Sequence, residues 1–380
     1  MKFVIDENIA FAKEAFSRFG ELLLINGREI NNKILSDTDV LIVRSITDVN
    51  EQLLKSTKIR FVGTATIGTE HIDINFLEKK NISFADAKGC NADSVAEYVF
   101  AALLNVAVKK NISLRNKTIG VIGVGNIGSR VVNYADALGL KVLKNDPPKE
   151  REGIGSNYVS LDEALSADIV TLHVPMNKSG TDKTFHLLDE NKMRIIKESA
   201  ILINTSRGAV IDNEALLKIM SSKKLYVILD VWEGEPLINS DLLERVDIGT
   251  AHIAGYSLEG KVNGTKMIYD ALCNFTGHQP DWEPELPAVE DSEITLPAQG
   301  SIEERLHFVF NKIYNIESDN KRIKKIINMD IVAGGKYFDE LRKTYPLRRE
   351  FDSYTVTINI YEKEFVELLK RFRFNAKVVD

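Results

Sequence analysis

Short runs of β-branched and apolar residues alternate with longer amphipathic stretches from the start of the chain. "KFVID" precedes an amphipathic segment near Ala10 to Phe19, and "LLLIN", "VLIVRS", "IRFVGTAT" and "ISFADA" follow, with helical or turn segments between them. Strands that alternate with helices predict a parallel α/β sheet. A long helix is expected over about Asp93 to Val108, opening on Ser94-Val95-Ala96-Glu97, which has the form of a capping box. The rhythm restarts at Thr118 with "TIGVIG", a glycine-rich turn, a helix to about Leu138 and the strand "KVLKND". The strands "ADIVTLHV", "SAILINT" and "YVILDVW" follow. A helix near Leu258 to Thr276 is then placed to pack back onto the first sheet.

From His278 the texture changes. "HQPDWEPELPAVEDSEITLPAQG" holds four of the nine prolines and reads as a linker or an irregular extended segment. Beyond it come a helix (about Ile302 to Tyr314), the basic run "KRIKK" and an alternating strand candidate, "YTVTINI". The expected organisation is therefore two parallel-sheet α/β domains, one formed by 1–93 with 258–280 and the other by 94–257. A small α+β domain over 281–380 completes it.

Composition narrows the class. A chain of 380 residues, 44% hydrophobic and 27% charged, is an ordinary soluble protein of two or three domains. Its 49 basic and 55 acidic side chains leave a net charge of -6, which argues against a nucleic-acid partner. Cys90 and Cys273 are too few for a disulfide framework and fit a reducing cytoplasm. "MKFVIDENIAF" lacks the apolar run of a signal sequence, and no stretch approaches the ~18 apolar residues of a membrane span. A cytoplasmic protein with no membrane partner is expected.

"GVGNIG", residues 123 to 128, sits where chemistry can use it. A bare GxGxxG is weak, but this one follows a β-branched strand and opens a helix, and Asp146 ends the next strand. Gly123 permits the tight turn, Gly125 lets backbone N–H groups approach a pyrophosphate, and Gly128 lets helix and strand pack closely. The helix N-terminus, with Asn126 and Ile127 in its first turn, favours phosphate. Asp146 suits the adenosine ribose hydroxyls and repels the extra phosphate of NADP, so NAD is the expected cofactor.

Three further stretches lie at or after later strands of the same unit. "ILINTSRGAVIDNEALL" brings Arg207, flanked by Ser206 and Gly208. "VILDVWEGEP" brings Asp230 and Glu235, and "TAHIAGYSLEG" brings His252. An arginine, a carboxylate and a histidine at strand ends are the parts needed to oxidise a 2-hydroxy acid. Arg207 can hold the substrate carboxylate and polarise the C2 oxygen. His252 can take the hydroxyl proton, and Glu235 can orient the imidazole and favour its protonated form. Asp230 is placed to touch the cofactor near the nicotinamide ribose. No HxxxH or CxxC spacing appears, and hydride transfer to NAD needs no metal.

"GVIGVGNIGSR", "INTSRGAVIDNEAL", "LDVWEGEP" and "AHIAGY" together resemble, in order, the successive signatures of the D-isomer specific 2-hydroxyacid dehydrogenases. The likeness covers roughly residues 1 to 277. It implies two Rossmann-like domains, a flavodoxin-like substrate-binding one and an NAD-binding one, with Arg207, Glu235 and His252 as the catalytic trio. A narrower group within that family is similar through the tail "FDELRKTYPLRREF" as well. Its members oxidise a phosphorylated four-carbon hydroxy acid in pyridoxine (vitamin B6) biosynthesis and form homodimers through the C-terminal domain.

That resemblance implies substrate contacts at Ser45, Thr66 and Tyr256. It implies NAD contacts at Asp146, Val174, Asp230, Gly255 and Ser206 to Gly208; Val174 stands where a threonine is expected, so only its backbone is carried over. Arg44 is an added candidate for substrate charge, and His71 is expected to be structural. Arg348 or Arg349 is a candidate to reach a dimer partner's crevice and read the phosphate. The competing readings are a 3-phosphoglycerate dehydrogenase and an NAD-sensing, corepressor-like binding protein.

Overall fold

The computed structural model describes residues 1–358 and 362–379. The chain divides into two compact units, Met1–Asn91 with Ser257–Ala288, and Ala92–Tyr256 with Val289–Asp380.

The first unit is built on five parallel strands, β1 (Lys2–Asp6), β2 (Glu21–Ile25), β3 (Val40–Val43), β4 (Phe61–Thr64) and β5 (Ser83–Asp86), in the order β2-β1-β3-β4-β5. That is the flavodoxin-like order. β3 and β4 are buried at every position, which is why they read as unbroken apolar runs rather than as alternation. The helix Leu258–Thr276 belongs to this unit, and its Ile268, Tyr269 and Leu272 share a core with Phe3, Phe16 and Phe61. Gly63 in β4 makes room for it: a Cβ there would lie 2.6 Å from Ile268 Cγ2.

The second unit holds β6 (Thr118–Ile122), β7 (Lys141–Asn145), β8 (Ile169–Leu172), β9 (Ile201–Asn204), β10 (Tyr226–Leu229) and β11 (Ile248–Gly249), all parallel. Their order is β11-β10-β9-β8-β6-β7. The winding reverses between β6 and β8, and a sheet of this kind takes its ligand beyond the carboxyl ends of the strands at that point.

The C-terminal segment has its own parallel sheet, β12 (Glu293–Thr295), β13 (Thr355–Ile358) and β14 (Asn375–Val378). The last two residues of "YTVTINI", Asn359 and Ile360, lie outside the described residues. This segment does not stand apart from the second unit. Phe372 packs 5.5 Å from Phe100 and 4.7 Å from Tyr134, with Phe310, Phe351 and Phe374 completing one aromatic core.

The expected capping box at Ser94 is not formed. The helix begins earlier, at Ala92, and runs to Lys110, so Ser94 and Glu97 are buried inside it and serve the C-terminal segment instead. Ser94 Oγ donates to Glu350 Oε1 at 3.0 Å, and Glu97 Oε1 accepts the Phe351 N–H at 2.9 Å. Burial, reinforced by Glu350 nearby, pushes Glu97 well above the usual carboxylate range. Arg373 lies 3.4 Å from Glu97 and 3.1 Å from Glu350. A capping box does form at Ser301 and Glu304, at the start of the helix Ile302–Ile313.

Candidate active site

The glycine turn is shaped by contact. Gly123 has φ 85° and a Cβ there would lie 2.5 Å from the His173 carbonyl oxygen; one on Gly128 would lie 1.9 Å from the Gly123 oxygen. Neither position admits a side chain. Gly125 is different, because a Cβ built there meets nothing within 4 Å. Open space at the N-terminus of the helix Asn126–Ala137 is what a pyrophosphate needs. Asp146, just past β7, accepts the Val124 N–H at 2.8 Å and the Lys149 N–H at 3.1 Å, which ties the turn to the neighbouring strand. A carboxylate has about four acceptor sites, so ribose hydroxyls can still be accommodated.

Beyond β8, the His173 ring is set between two threonines, 2.9 Å from Thr171 Oγ1 and 3.3 Å from Thr205 Oγ1. Burial lowers its pKa to about 3, so the imidazole is neutral. Val174 follows, beside Gly123.

The next three strands are neighbours in the sheet, and each delivers one expected group. Past β9, buried Ser206 Oγ donates to Asn204 Oδ1 at 2.7 Å, and Arg207 Nη1 donates to the Ser206 carbonyl at 2.9 Å. Gly208 allows this turn to touch the Trp232 backbone, which a Cβ would meet at 1.9 Å. Directly after β10, the buried Asp230 carboxylate accepts three hydrogen bonds from the loop beyond β11. They come from Thr250 Oγ1 at 2.6 Å, the Ile253 N–H at 2.8 Å and the Ala254 N–H at 3.0 Å. His252 sits within that loop at φ 55°, its own N–H donating to the Asp230 carbonyl at 2.7 Å. Its Nδ1 lies 2.9 Å from Glu235 Oε1. With Nδ1–H engaged by the carboxylate, Nε2 is the nitrogen left to exchange a proton. Glu235 Oε2 is buried without a hydrogen-bond partner.

Tyr256, at the end of the same loop after Gly255, meets Tyr345 edge-on at 5.7 Å. In the first unit, Ser45 and Thr66 follow the adjacent strands β3 and β4. Thr66 Oγ1 lies 2.9 Å from Thr64 Oγ1, which is itself 3.0 Å from His71 Nε2. Arg44 Nε donates to the buried Asp6 carboxylate at 3.1 Å.

The proposal that Arg348 reaches a partner's crevice gives way to a different placement. Its side chain is buried, donates to the carbonyls of Ser94 and Ala254, and lies 4.6 Å over the Tyr314 ring. Arg349 donates to Ser353 Oγ at 3.2 Å. The arginine that does approach the catalytic candidates is Arg342, on the helix Ile331–Lys343, with Cζ 6.0 Å from the Tyr256 ring centre. It lies in the same "LRKTYPLRRE" run, and its helical spacing was the available sign. Among the described residues, one group could offer metal ligands: His186, Asp212 and Glu233, with ligand atoms within 4.8 Å of one another.

Two family models match the chain. Residues 102–254 match "D-isomer specific 2-hydroxyacid dehydrogenase, NAD binding domain", and residues 286–372 match a "domain of unknown function (DUF3410)". Erythronate-4-phosphate dehydrogenase of Escherichia coli O1:K1 / APEC is 45% identical over 383 residues, covering 99% of this chain and 98% of its own. The same figures hold for the protein of that name from Shigella flexneri serotype 5b (strain 8401). The chain belongs to the erythronate-4-phosphate dehydrogenase family. It is an NAD-dependent dehydrogenase, and NAD is its cofactor.

Among solved structures, D-lactate dehydrogenase from Aquifex aeolicus, complexed with NAD and lactic acid, is 28% identical with a TM-score of 0.60, covering 73% of this chain and 96% of its own. The NAD-bound 3-phosphoglycerate dehydrogenase of Entamoeba histolytica shares the fold at a TM-score of 0.62 and 24% identity, covering 73% of this chain and 95% of its own. The family's cofactor fits the residues present: an open Gly125 cradle, a helix N-terminus and Asp146 lie along one edge of the sheet. No helix among the described residues is long and apolar enough to cross a membrane.

Proposed function

We propose that this protein oxidises 4-phospho-D-erythronate at C2 to 3-hydroxy-2-oxo-4-phosphooxybutanoate, a step of pyridoxal 5'-phosphate biosynthesis. The observation that carries the reading is the His252–Glu235 pair at 2.9 Å, in the loops after β11 and β10, the strands that follow β9 and its Arg207 loop in the sheet, in a chain 45% identical to enzymes of that name.

In this mechanism His252 Nε2 takes the C2 hydroxyl proton. Glu235 holds Nδ1–H and stabilises the imidazolium that results. Arg207 binds the substrate carboxylate and stabilises charge developing on the C2 oxygen. Bound NAD supplies the acceptor for the C2 hydride, so the alcohol loses one proton and one hydride and becomes a ketone. Gly123, Gly125 and Gly128 with the first turn at Asn126 and Ile127 would hold the pyrophosphate. Asp146 would hold the adenosine ribose, and Val174, Ser206, Gly208, Asp230 and Gly255 would complete the cofactor contacts. Ser45, Thr66 and Tyr256 are the proposed substrate ligands, with Arg44 as an added cation.

A homodimer formed through the C-terminal segment is part of the proposal. Its support is the exposure of Ile302, Phe308, Ile331, Val332 and Leu347 on that segment. The deciding experiment measures NADH formation from 4-phosphoerythronate beside 3-phosphoglycerate, in wild type and His252→Ala. Turnover of the four-carbon acid, lost in the variant, is expected. Preference for 3-phosphoglycerate, or turnover that survives the substitution, overturns the reading.

A further inference from the structure

A phosphorylated hydroxy acid brings two anionic ends to the site; the proposed mechanism gives Arg207 to the carboxylate, and the added cation, Arg44, is already paired with the buried Asp6 carboxylate. Among the cations of the second unit named above, Arg348 is buried and bound to backbone carbonyls, and Arg373 is engaged by Asp93, Glu97, Glu350 and Asp352. Arg348 also has a buried Nε and Nη1 without partners, but it lies over the Tyr314 ring, whereas Arg342 lies beside Tyr256. It projects from the helix Ile331–Lys343, in the part of the chain matched by the domain of unknown function. Its guanidinium carbon lies 6.0 Å from the ring centre of Tyr256, itself a proposed substrate ligand. Burial disfavours its charge, but Tyr256, Glu235 and Asp339 outweigh that and keep it firmly protonated. Its Nε is buried and has no hydrogen-bond partner.

A buried N–H on a charged fork that lacks an acceptor costs free energy, which a ligand can recover. Glu235 Oε2 is likewise buried without a hydrogen-bond partner. A phosphate oxygen suits the arginine, because guanidinium recognises phosphate through short charge-assisted hydrogen bonds. Tyr256 would carry the link from the loop of the catalytic histidine to this cation.

We propose that Arg342 is a specificity-determining residue that binds the substrate's phosphate and thereby selects the phosphorylated acid over the same acid without it. This rests on the proposed oxidation of 4-phosphoerythronate.

The test compares kcat/KM for 4-phospho-D-erythronate and for D-erythronate in wild type, Arg342→Gln and Arg342→Lys. Arg342→Gln is expected to lose on the order of 100-fold on the phosphorylated acid, the weight of a buried charge-assisted interaction. It should stay within about threefold on D-erythronate and on KM for NAD, with Arg342→Lys between the two, because a point charge replaces the fork. Equal losses on both acids would mean that Arg342 only positions Tyr256 and Glu235, and would overturn the proposal. So would an unchanged preference. Should Arg342→Gln fail to fold, as judged by circular dichroism, the lysine variant decides: a loss confined to the phosphorylated acid supports the proposal and any other pattern overturns it. A wild type that does not prefer the phosphorylated acid refutes the functional reading itself, whereas a wild-type preference that survives in the variants refutes only the role of Arg342.

Discussion

Replacing Asp230 by asparagine tests whether the loop that carries His252 is built by a carboxylate. The side chain accepts from Thr250 Oγ1, from the Ile253 N–H and from the Ala254 N–H, all buried. An asparagine of the same shape has one oxygen and one NH2. If the oxygen takes the places of Thr250 and Ile253, the amide nitrogen faces the Ala254 N–H; if the group is flipped, it faces the Ile253 N–H. Either way two donors meet and one buried N–H is unmatched, at a cost of about 1–3 kcal/mol. Each kcal/mol lowers the melting temperature of a unit of this size by about 2–4 °C, so Tm without ligand should fall by roughly 2–12 °C.

The same bonds hold His252 at φ 55°, a conformation that disfavours non-glycine residues. Release of the loop should move the imidazole, and a displacement of about 1 Å costs on the order of 100-fold in rate. The assay is thermal unfolding by circular dichroism beside initial rates of NADH formation at saturating NAD. A residue that merely touched the cofactor would raise KM for NAD and leave the melting of the ligand-free protein alone. That outcome, or wild-type kcat, would refute the argument.

Gly125→Ala should leave Tm within about 1 °C, since its Cβ meets open space in the ligand-free fold, yet raise KM for NAD on the order of tenfold. Gly128→Ala should instead impair folding of the second unit, because its Cβ would lie 1.9 Å from the Gly123 oxygen; equal thermal stability in the two variants would contradict this. Glu235→Ala should lower kcat on the order of 100-fold with KM for NAD unchanged, because the imidazole loses the acceptor 2.9 Å from Nδ1 that fixes its orientation; wild-type kcat would remove Glu235 from that role. His173, lowered to about 3 by burial, stays neutral in the fold while the unfolded chain takes up a proton below pH 6.5. The fold therefore loses stability as pH drops from 6.5 toward 3. Its ring is only half-buried by area, so the loss should be no more than about 1 kcal/mol per pH unit. His173→Gln should flatten that slope in unfolding titrations between pH 7 and 5, and an unchanged slope would assign the acid sensitivity elsewhere.

Much of the site was legible because its parts are local. GVGNIG following a strand and Asp146 ending the next one place themselves, and Arg207, Glu235 and His252 each come soon after a recognisable strand. What joins them was not legible. Asp230 works through two backbone N–H groups and one hydroxyl, which leave no mark in the identity of Ile253 or Ala254. Ser94 and Glu97 carry a capping-box spacing that is the same at the start of a helix or inside one, and their partners lie far along the chain. The tail misled for the same reason. Its arginines look alike in sequence, yet Arg348 is enclosed in the core of its own unit and Arg342 reaches Tyr256.

The enclosure of Arg348 has a consequence for synthesis of the chain. Its guanidinium grips the carbonyl of Ala254, two residues beyond His252, and that of Ser94. Glu350, Phe351 and Arg373 fasten the same helix from its other contacts. A ribosome that has delivered every strand of the dinucleotide-binding sheet has not yet delivered these clasps, so the nascent polypeptide holds Arg207, Glu235 and His252, the proposed catalytic side chains, before it holds the contacts that fasten Ser94 and Ala254.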